Sequence, residues 1–113
     1  MENFEWQDEE TELKYRLFQR MLNKSVKDKF EFIKQVDVDP VKFQRADVSW
    51  SFNKQYNVTI LLDKSSISKY SEEQIDKFEY QFNELFDTLL KTIAPPKNKN
   101  DFRVIISSDI DLI

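Results

Sequence analysis

The fold is decided by one stretch of the sequence, residues 71–96, which reads SEEQIDKFEYQFNELFDTLLKTIAPP. Ser71 and Gln74 have the spacing of a capping box, in which two side chains satisfy backbone N–H groups at the start of a helix. Proline cannot continue a helix, so Pro95 and Pro96 end the element. Between these signals, apolar side chains recur at helical spacing at Ile75, Phe78, Phe82, Leu85, Phe86, Leu89 and Ile93. The stretch predicts one long helix whose apolar face covers a sheet.

Two further helices are predicted before this one. The first runs from about residue 9 to residue 23. The second is capped by Ser25 and ends near Gln35. Residues 23–25 form either a turn between two helices or a bend within one. The acidic residues 1–8 either fray as an arm or lead into the first helix. The apolar faces of the two predicted helices comprise Leu13, Leu17, Phe18, Met21 and Leu22 in the first helix, and Val26, Phe30 and Ile33 in the second.

Alternating apolar and polar residues predict three strands, at residues 48–52, 56–62 and 102–106. The order of elements is therefore α-α-β-β-α-β. A right-handed crossover through the long helix would bring the third strand beside the first. We expect an α+β fold with a small antiparallel three-stranded sheet in the order 2-1-3, covered by the long helix. The whole chain, residues 1–113, is expected to form a single domain.

Composition narrows the possible functions. The chain has 113 residues, ten of them Phe, and contains no Gly, His or Cys. Without His and Cys it lacks the common catalytic bases, thiol nucleophiles and transition-metal ligands. Without Gly it lacks phosphate-binding loops. We therefore expect no enzyme, no catalytic residue, no cofactor and no metal.

The location and origin of the protein also follow from composition. No apolar run approaches the roughly 18 residues of a membrane span, and the acidic N-terminal stretch is unlike a signal peptide. A cytoplasmic location is expected. Lysine outnumbers arginine, and isoleucine and asparagine are frequent while glycine is absent. This bias predicts an AT-rich genome, such as that of a low-GC bacterium, its phages or another mobile element.

Three carboxylates are weak candidates for a divalent-metal site. Asp63 follows the second predicted strand, and Asp109 and Asp111 follow the third. If those strands run parallel, all three carboxylates gather at one end of the sheet, where oxygen ligands could hold Mg²⁺ or Ca²⁺. Acidic side chains at strand ends are more often solvated or capping, and the chain has 21 of them.

The aromatic residues allow a second alternative, binding of single-stranded nucleic acid. Basic residues interleave with aromatic ones in and near the predicted sheet, which is typical of stacking platforms. Alternation instead places Trp50 and Phe52 in the core. The net charge of −4 also disfavours nucleic acid as a partner. The residues concerned are Phe43, Trp50, Phe52, Tyr56 and Phe102, with Lys42, Arg45, Lys54 and Arg103.

The chain ends in exposed apolar residues that need a cover. Ile110, Leu112 and Ile113 close the sequence, while alternation turns Leu61 and Ile105 away from the core. They are covered by packing of the tail on its own domain, by a partner protein or by a second copy of the chain. We interpret these five residues as candidates for a partner interface.

The favoured function is therefore that of a non-enzymatic protein-binding module, such as an inhibitor, an immunity-type protein, an adaptor or an assembly factor. Its partner is another protein, with a homodimer as a further possibility. The alternatives are a single-stranded nucleic-acid binder that uses the sheet aromatics and a metal-dependent enzyme that uses Asp63, Asp109 and Asp111.

Overall fold

A computed structural model describes residues 4–98 and 101–113. These residues form an α+β fold with four helices and a three-stranded mixed sheet. In chain order the elements are α1 (Glu9–Lys29), β1 (Ile33–Val38), α2 (Pro40–Val48), β2 (Asn53–Leu62), α3 (Lys64–Ile67), α4 (Glu72–Ile93) and β3 (Arg103–Leu112).

Helix α4 confirms the prediction from residues 71–96. The Ser71 hydroxyl accepts a hydrogen bond from the Gln74 backbone N–H at 3.3 Å, and the Gln74 side chain accepts one from the Ser71 N–H at 2.9 Å. The helix ends at Ile93, directly before Ala94 and the two prolines. Its fully buried side chains are Phe78, Phe82, Phe86 and Leu90.

The sheet has the order β1-β2-β3, with β1 antiparallel and β3 parallel to β2. The predicted antiparallel sheet in the order 2-1-3 is therefore wrong. The first strand is formed by residues 33–38, which the sequence assigned to the end of a helix and a connector. A register shift between Ile33 and Gln35 sets Ile33 and Val36 on the same buried side. Their spacing of three residues imitates a helix, and this explains the error.

The strand predicted at residues 48–52 is not formed. Asp39 caps α2 by accepting a hydrogen bond from the Lys42 backbone N–H at 3.1 Å, and Pro40 occupies the first turn, where it favours a helix. The chain is thus helical up to Val48 and then forms a loop. Trp50 is 84 % exposed and Phe52 also lies in solvent. The prediction that these two residues are in the core is wrong.

Helix α1 is continuous through Ser25 as far as Lys29. Asp8 caps its start by accepting a hydrogen bond from the Thr11 N–H at 2.7 Å. Only the first turn of the predicted second helix therefore exists, as the end of α1. Upstream of the cap, the Trp6 ring packs against Tyr15, with 5.1 Å between ring centroids.

The helices cover one face of the sheet. Along β2, alternate residues are buried and the residues between them are not. The buried set includes Tyr56, Val58, Ile60 and Leu62, as the alternation predicted. Apolar residues from α1, α2 and α4 join them in a single core.

Phe86 lies at the centre of this core. Its ring is 4.9 Å from that of Phe18 on α1, 5.4 Å from Tyr56 on β2 and 6.2 Å from Phe82 on α4, measured between centroids. The side chain is fully buried. One aromatic residue thus joins both long helices to the central strand.

A buried carboxylate fixes the chain that leads from α4 to β3. Asp47, on α2, accepts hydrogen bonds from the Thr11 hydroxyl at 2.7 Å and from Lys14 Nζ at 2.5 Å. Its backbone carbonyl accepts one from the Lys97 N–H at 2.9 Å. The Lys97 side chain donates to Asp8 at 2.7 Å, which lowers the pKa of Asp8 to about 2. These bonds hold the segment after α4 against α1 and α2.

We expect Phe86→Ala to lower the free energy of unfolding by about 3–5 kcal/mol, because it removes the ring that joins three elements and leaves a cavity. Tyr80→Ala is the matched control on the outer side of α4, where the ring is 68 % exposed, and should change stability by less than about 0.5 kcal/mol. Chemical denaturation of both variants measures the difference. Equal stabilities would show that Phe86 is not a core residue.

Candidate protein-binding edge

Strand β3 is the open edge of the sheet. It pairs with β2 along its whole length, from Arg103 opposite Asn53 to Leu112 opposite Leu62. Within residues 4–98 and 101–113, no strand lies on its other side. We call this outer side of β3 the β3 edge.

The backbone groups that the β3 edge presents follow from its pairing. The Arg103 N–H donates to the Phe52 carbonyl at 2.8 Å, and the Ile113 N–H donates to the Leu62 carbonyl at 3.0 Å. Because backbone groups alternate in direction along a strand, the N–H and C=O groups of the odd-numbered residues of β3 point toward β2. The N–H and C=O groups of the even-numbered residues from 104 to 112 therefore point outward.

The even-numbered side chains lie on the face that the helices cover, since Val104 to Leu112 are in register with the buried residues of β2. Val104 and Ile106 pack partly against the core. Further along, Ile110 is 40 % exposed and Leu112 is 55 % exposed. The apolar cover is thus incomplete over the second half of β3.

A groove runs between α4 and β3 beside this half of the strand. It has a volume of about 210 Å³ and a floor that includes the apolar residues Ile60, Phe82 and Ile106. Its remaining lining residues are Phe78, Glu79, Asn83, Ser108 and Ile110. We call it the α4–β3 groove. Its β3 lining residues, Ile106, Ser108 and Ile110, are even-numbered and therefore lie on the helix-covered face of the strand.

The C-terminal residues continue the strand. The Lys64 N–H donates to the Ile113 carbonyl at 2.9 Å, in addition to the bond from Ile113 to Leu62. The backbone of residues 110–113 therefore docks on its own domain, while the Ile113 side chain remains 51 % exposed.

The two remaining interface candidates lie on the opposite, uncovered face. Leu61 is in register with Asp111, and Ile105 is in register with Gln55, so the two apolar residues are at different ends of the sheet. Between them the face carries polar residues such as Thr59 and Ser107. The structure does not bring Leu61 and Ile105 together.

The opposite edge of the sheet, along β1, is closed by side chains of α1. The Gln19 and Asn23 amides donate to the Val36 carbonyl at 2.8 and 2.7 Å, and their oxygens accept from the Val38 and Val36 N–H groups at 2.9 Å. The Tyr15 hydroxyl donates to the Val38 carbonyl at 2.5 Å. These side chains occupy the hydrogen-bonding groups that a further strand would need.

The three carboxylates considered for a metal do not form a site. Asp63 caps α3 and accepts hydrogen bonds from the Ser65 and Ser66 hydroxyls, both at 2.9 Å, and these bonds lower its pKa, with that from Ser66 contributing most. Asp109 and Asp111 are in register with Thr59 and Leu61 on the uncovered face. In the part of the chain that the structure describes, no three acidic side chains lie close enough to hold a metal ion.

The aromatic residues considered for stacking are divided between core and surface. Phe43 and Tyr56 are buried, and burial raises the pKa of Tyr56. Trp50 and Phe52 lie in the exposed loop between α2 and β2. This loop adjoins a second groove of about 210 Å³, whose lining includes Lys42, Arg45, Ser49, Ser51, Asn53 and Lys54.

Sequence reasoning named the apolar side chains of the β3 edge but missed its length. The third strand was predicted to end at Ile106, and the structure extends it to Leu112. Alternation of Ile106, Ile110 and Leu112 was the available signal, interrupted only by Ser108.

The chain matches no protein family, no curated protein and no solved structure. Among the helices of the described residues, none is long and apolar enough to cross a membrane.

Deleting residues 110–113 should lower the midpoint of thermal unfolding by several degrees. The deletion removes the last pairs of β2 with β3 and the three half-buried apolar side chains of Ile110, Leu112 and Ile113, together worth about 1–3 kcal/mol. Ile113→Ser, which keeps the backbone bonds, is the control and should shift the midpoint much less. Calorimetry at one fixed protein concentration measures both. An unchanged midpoint after the deletion would contradict docking of the tail.

Proposed function

We propose that this protein is a non-enzymatic protein-binding module that takes up an extended segment of another protein alongside β3. The observation that carries the proposal is the β3 edge, with outward backbone groups on alternate residues from 104 to 112 and a groove of mixed polar and apolar lining beside them. Addition of a strand to an exposed sheet edge gives affinity through main-chain hydrogen bonds and specificity through alternate side-chain pockets.

The contrast between the two edges of the sheet supports the proposal. Exposed edges in native proteins are usually blunted by charged side chains, lysine above all, and by proline, bulges or covering elements. The β1 edge is closed by Tyr15, Gln19 and Asn23. The β3 edge contains neither lysine nor proline over its ten residues and pairs with β2 without a register shift. Its charged residues, Arg103, Asp109 and Asp111, all lie on the uncovered face, so the covered face of β3 carries no charge. It therefore has the geometry of a template for a further strand.

The side chains of β3 indicate which segments fit. A ligand strand places alternate side chains beside the α4–β3 groove, where Ile106 and Ile110 favour apolar residues. The intervening side chains lie on the uncovered face, close to Asp109 and Asp111, which favour basic residues. We propose that the ligand is a segment of alternating apolar and polar residues with Lys or Arg near the C-terminal end of β3.

Inhibitors, immunity-type proteins, adaptors and assembly factors all act through such a surface, and we propose one of these roles for the protein. Its source is proposed to be a phage or mobile element of an AT-rich host, and its location the cytoplasm. None of these roles requires a reaction, in keeping with a sequence that has neither histidine nor cysteine.

Selection of peptides from a random displayed library tests the function directly. We expect the wild-type chain to enrich peptides with the alternating pattern described above. Ser108→Pro removes an outward N–H and should weaken binding of the selected peptides by about tenfold or more. Ser108→Ala keeps that N–H and should bind them like the wild type. Titration calorimetry with the synthetic peptides measures all three.

Two results would contradict the proposed function. Failure to enrich any peptide on the wild-type chain, or equal binding by Ser108→Pro and wild type, would show that the β3 edge is not the binding surface. Matching far-ultraviolet circular dichroism and melting midpoints of the two Ser108 variants exclude misfolding as the cause of lost binding.

A second candidate function rests on the loop between α2 and β2. Trp50 and Phe52 are exposed there, and Lys42 and Arg45 line the adjacent groove. Bases of a single strand can stack on exposed aromatic rings while basic side chains contact phosphate. We expect weak binding of single-stranded DNA that Trp50→Ala reduces by roughly tenfold, whereas Tyr80→Ala, the control, leaves it unchanged. Fluorescence anisotropy at graded salt measures this, and equal affinities of the two variants would eliminate the candidate.

A further inference from the structure

The β3 edge is complementary to itself. In an antiparallel pair, opposite residues share a face and either both or neither point their backbone groups at each other. Two copies of β3 with their helices on the same side therefore pair even-numbered residues with even-numbered residues. The two-fold axis of such a pair passes through a residue and not between two residues.

We infer that two copies of the chain pair through β3 around a two-fold axis at Ser107, which joins their sheets into one of six strands. The inference rests on the proposed function because it uses the same edge, and it names a second copy as the occupant. In this register Val104 lies opposite Ile110, and Phe102 opposite Leu112, of the other copy. The half-exposed residues of one copy thus cover apolar residues of the other.

Charge selects this register. Arg103 of each copy lies directly opposite Asp111 of the other, and next to its Asp109 along the diagonal. Opposite charges across a strand pair attract, and like charges repel. Since the axis is two-fold, the favourable pair occurs twice.

The two neighbouring registers do not place both opposite charges and apolar residues across from each other. With the axis at Ser108, Arg103 faces Ile113, and the two Asp109 side chains approach along the diagonal. With the axis at Ile106, Asp101 faces Asp111, which places two like charges directly opposite each other. The register centred on Ser107 alone among these three combines opposite charges with apolar pairs at both ends.

Self-pairing has a consequence for the proposed function. The second copy occupies the same outward groups from Val104 to Leu112 that a ligand strand would use. Ligand binding and pairing of two copies therefore compete, and the concentration of the protein sets how much of the edge is open.

The chain has no cysteine, so single thiols report the register. Two Ser107 residues at the axis form a non-hydrogen-bonded pair with Cα atoms about 4.5 Å apart, within the range that a disulfide spans. Two Ser108 residues lie about 8–9 Å apart, beyond that range. We expect mild oxidation to cross-link S107C into a dimer, while S108C stays largely uncross-linked.

Charge reversal tests the same register in solution without a covalent bond. We expect sedimentation equilibrium to show a reversible dimer for the wild type. Arg103→Asp and Asp111→Arg should each weaken it by about fivefold or more, since each loses two ion pairs and gains repulsion. The double variant, which exchanges the two charges, should restore the wild-type dissociation constant.

A wild-type chain that remains monomeric at millimolar concentration, preferential cross-linking of S108C, or a double variant as weak as the single ones would overturn the inference. These results are separable from those on the proposed function. A monomeric wild-type chain whose peptide binding is lost in Ser108→Pro would overturn self-pairing and leave the function standing. A dimer in the Ser107 register, with an Arg103→Asp monomer that selects no peptide, would support self-pairing and contradict the function.

Discussion

The packing of Phe86 against Phe18 and Tyr56 is the contact on which the rest of the structure depends. It presses α4 against the central strand and at the same time against α1. With α4 fixed on that face, the segment after it is held by Asp47 and Lys97 against the ends of α1 and α2. The chain then enters the sheet beside Phe52 and runs parallel to β2. The position of β3 at the edge is thus a result of core packing.

The two edges of the sheet differ because different elements flank them. Helix α1 contacts β1 and offers polar side chains at the helical spacing of Tyr15, Gln19 and Asn23, which reach successive backbone groups of Val36 and Val38. On the outer side of β3, by contrast, no further strand pairs within the described residues. A sheet that is closed along one edge and open along the other can grow in one direction only.

The parts of the fold that the sequence predicted are those governed by local rules. The capping box at Ser71, the apolar stripe of α4 and the alternation from Tyr56 to Leu62 all depend on neighbours within a few residues. Residues 33–52 were predicted incorrectly because their pattern is ambiguous. The irregularity after Ile33 gives a strand the spacing of a helix, and Trp50 and Phe52 alternate like strand residues although they lie in a loop.

The candidate site likewise has some parts that the local sequence pattern predicts and others that depend on tertiary packing. Ile105 could be named from the sequence because alternation turns it away from the core, and Ile110, Leu112 and Ile113 because they form an apolar cluster outside the predicted strands. The direction in which the β3 backbone groups point could not be predicted from the sequence. It follows from pairing with a strand fifty positions earlier, as the pair of Asn53 with Arg103 shows. The closure of the β1 edge by α1 side chains also depends on tertiary packing, and no local pattern encodes it.

The distance in sequence between β2 and β3 also governs how the protein folds. Helix α1, β1, α2 and β2 contact one another and can associate before β3 has found its place, whereas every β2–β3 pair must close a loop of fifty residues, which slows folding. Until β3 pairs, the edge of β2 that it will occupy is exposed. The β3 strand of a neighbouring molecule can pair with that edge as well as the chain's own β3 can. At high concentration during refolding, exchange of β3 between molecules is therefore the expected misassembly. It would yield a domain-swapped dimer with the native pairing of β2 with β3 and a different connectivity.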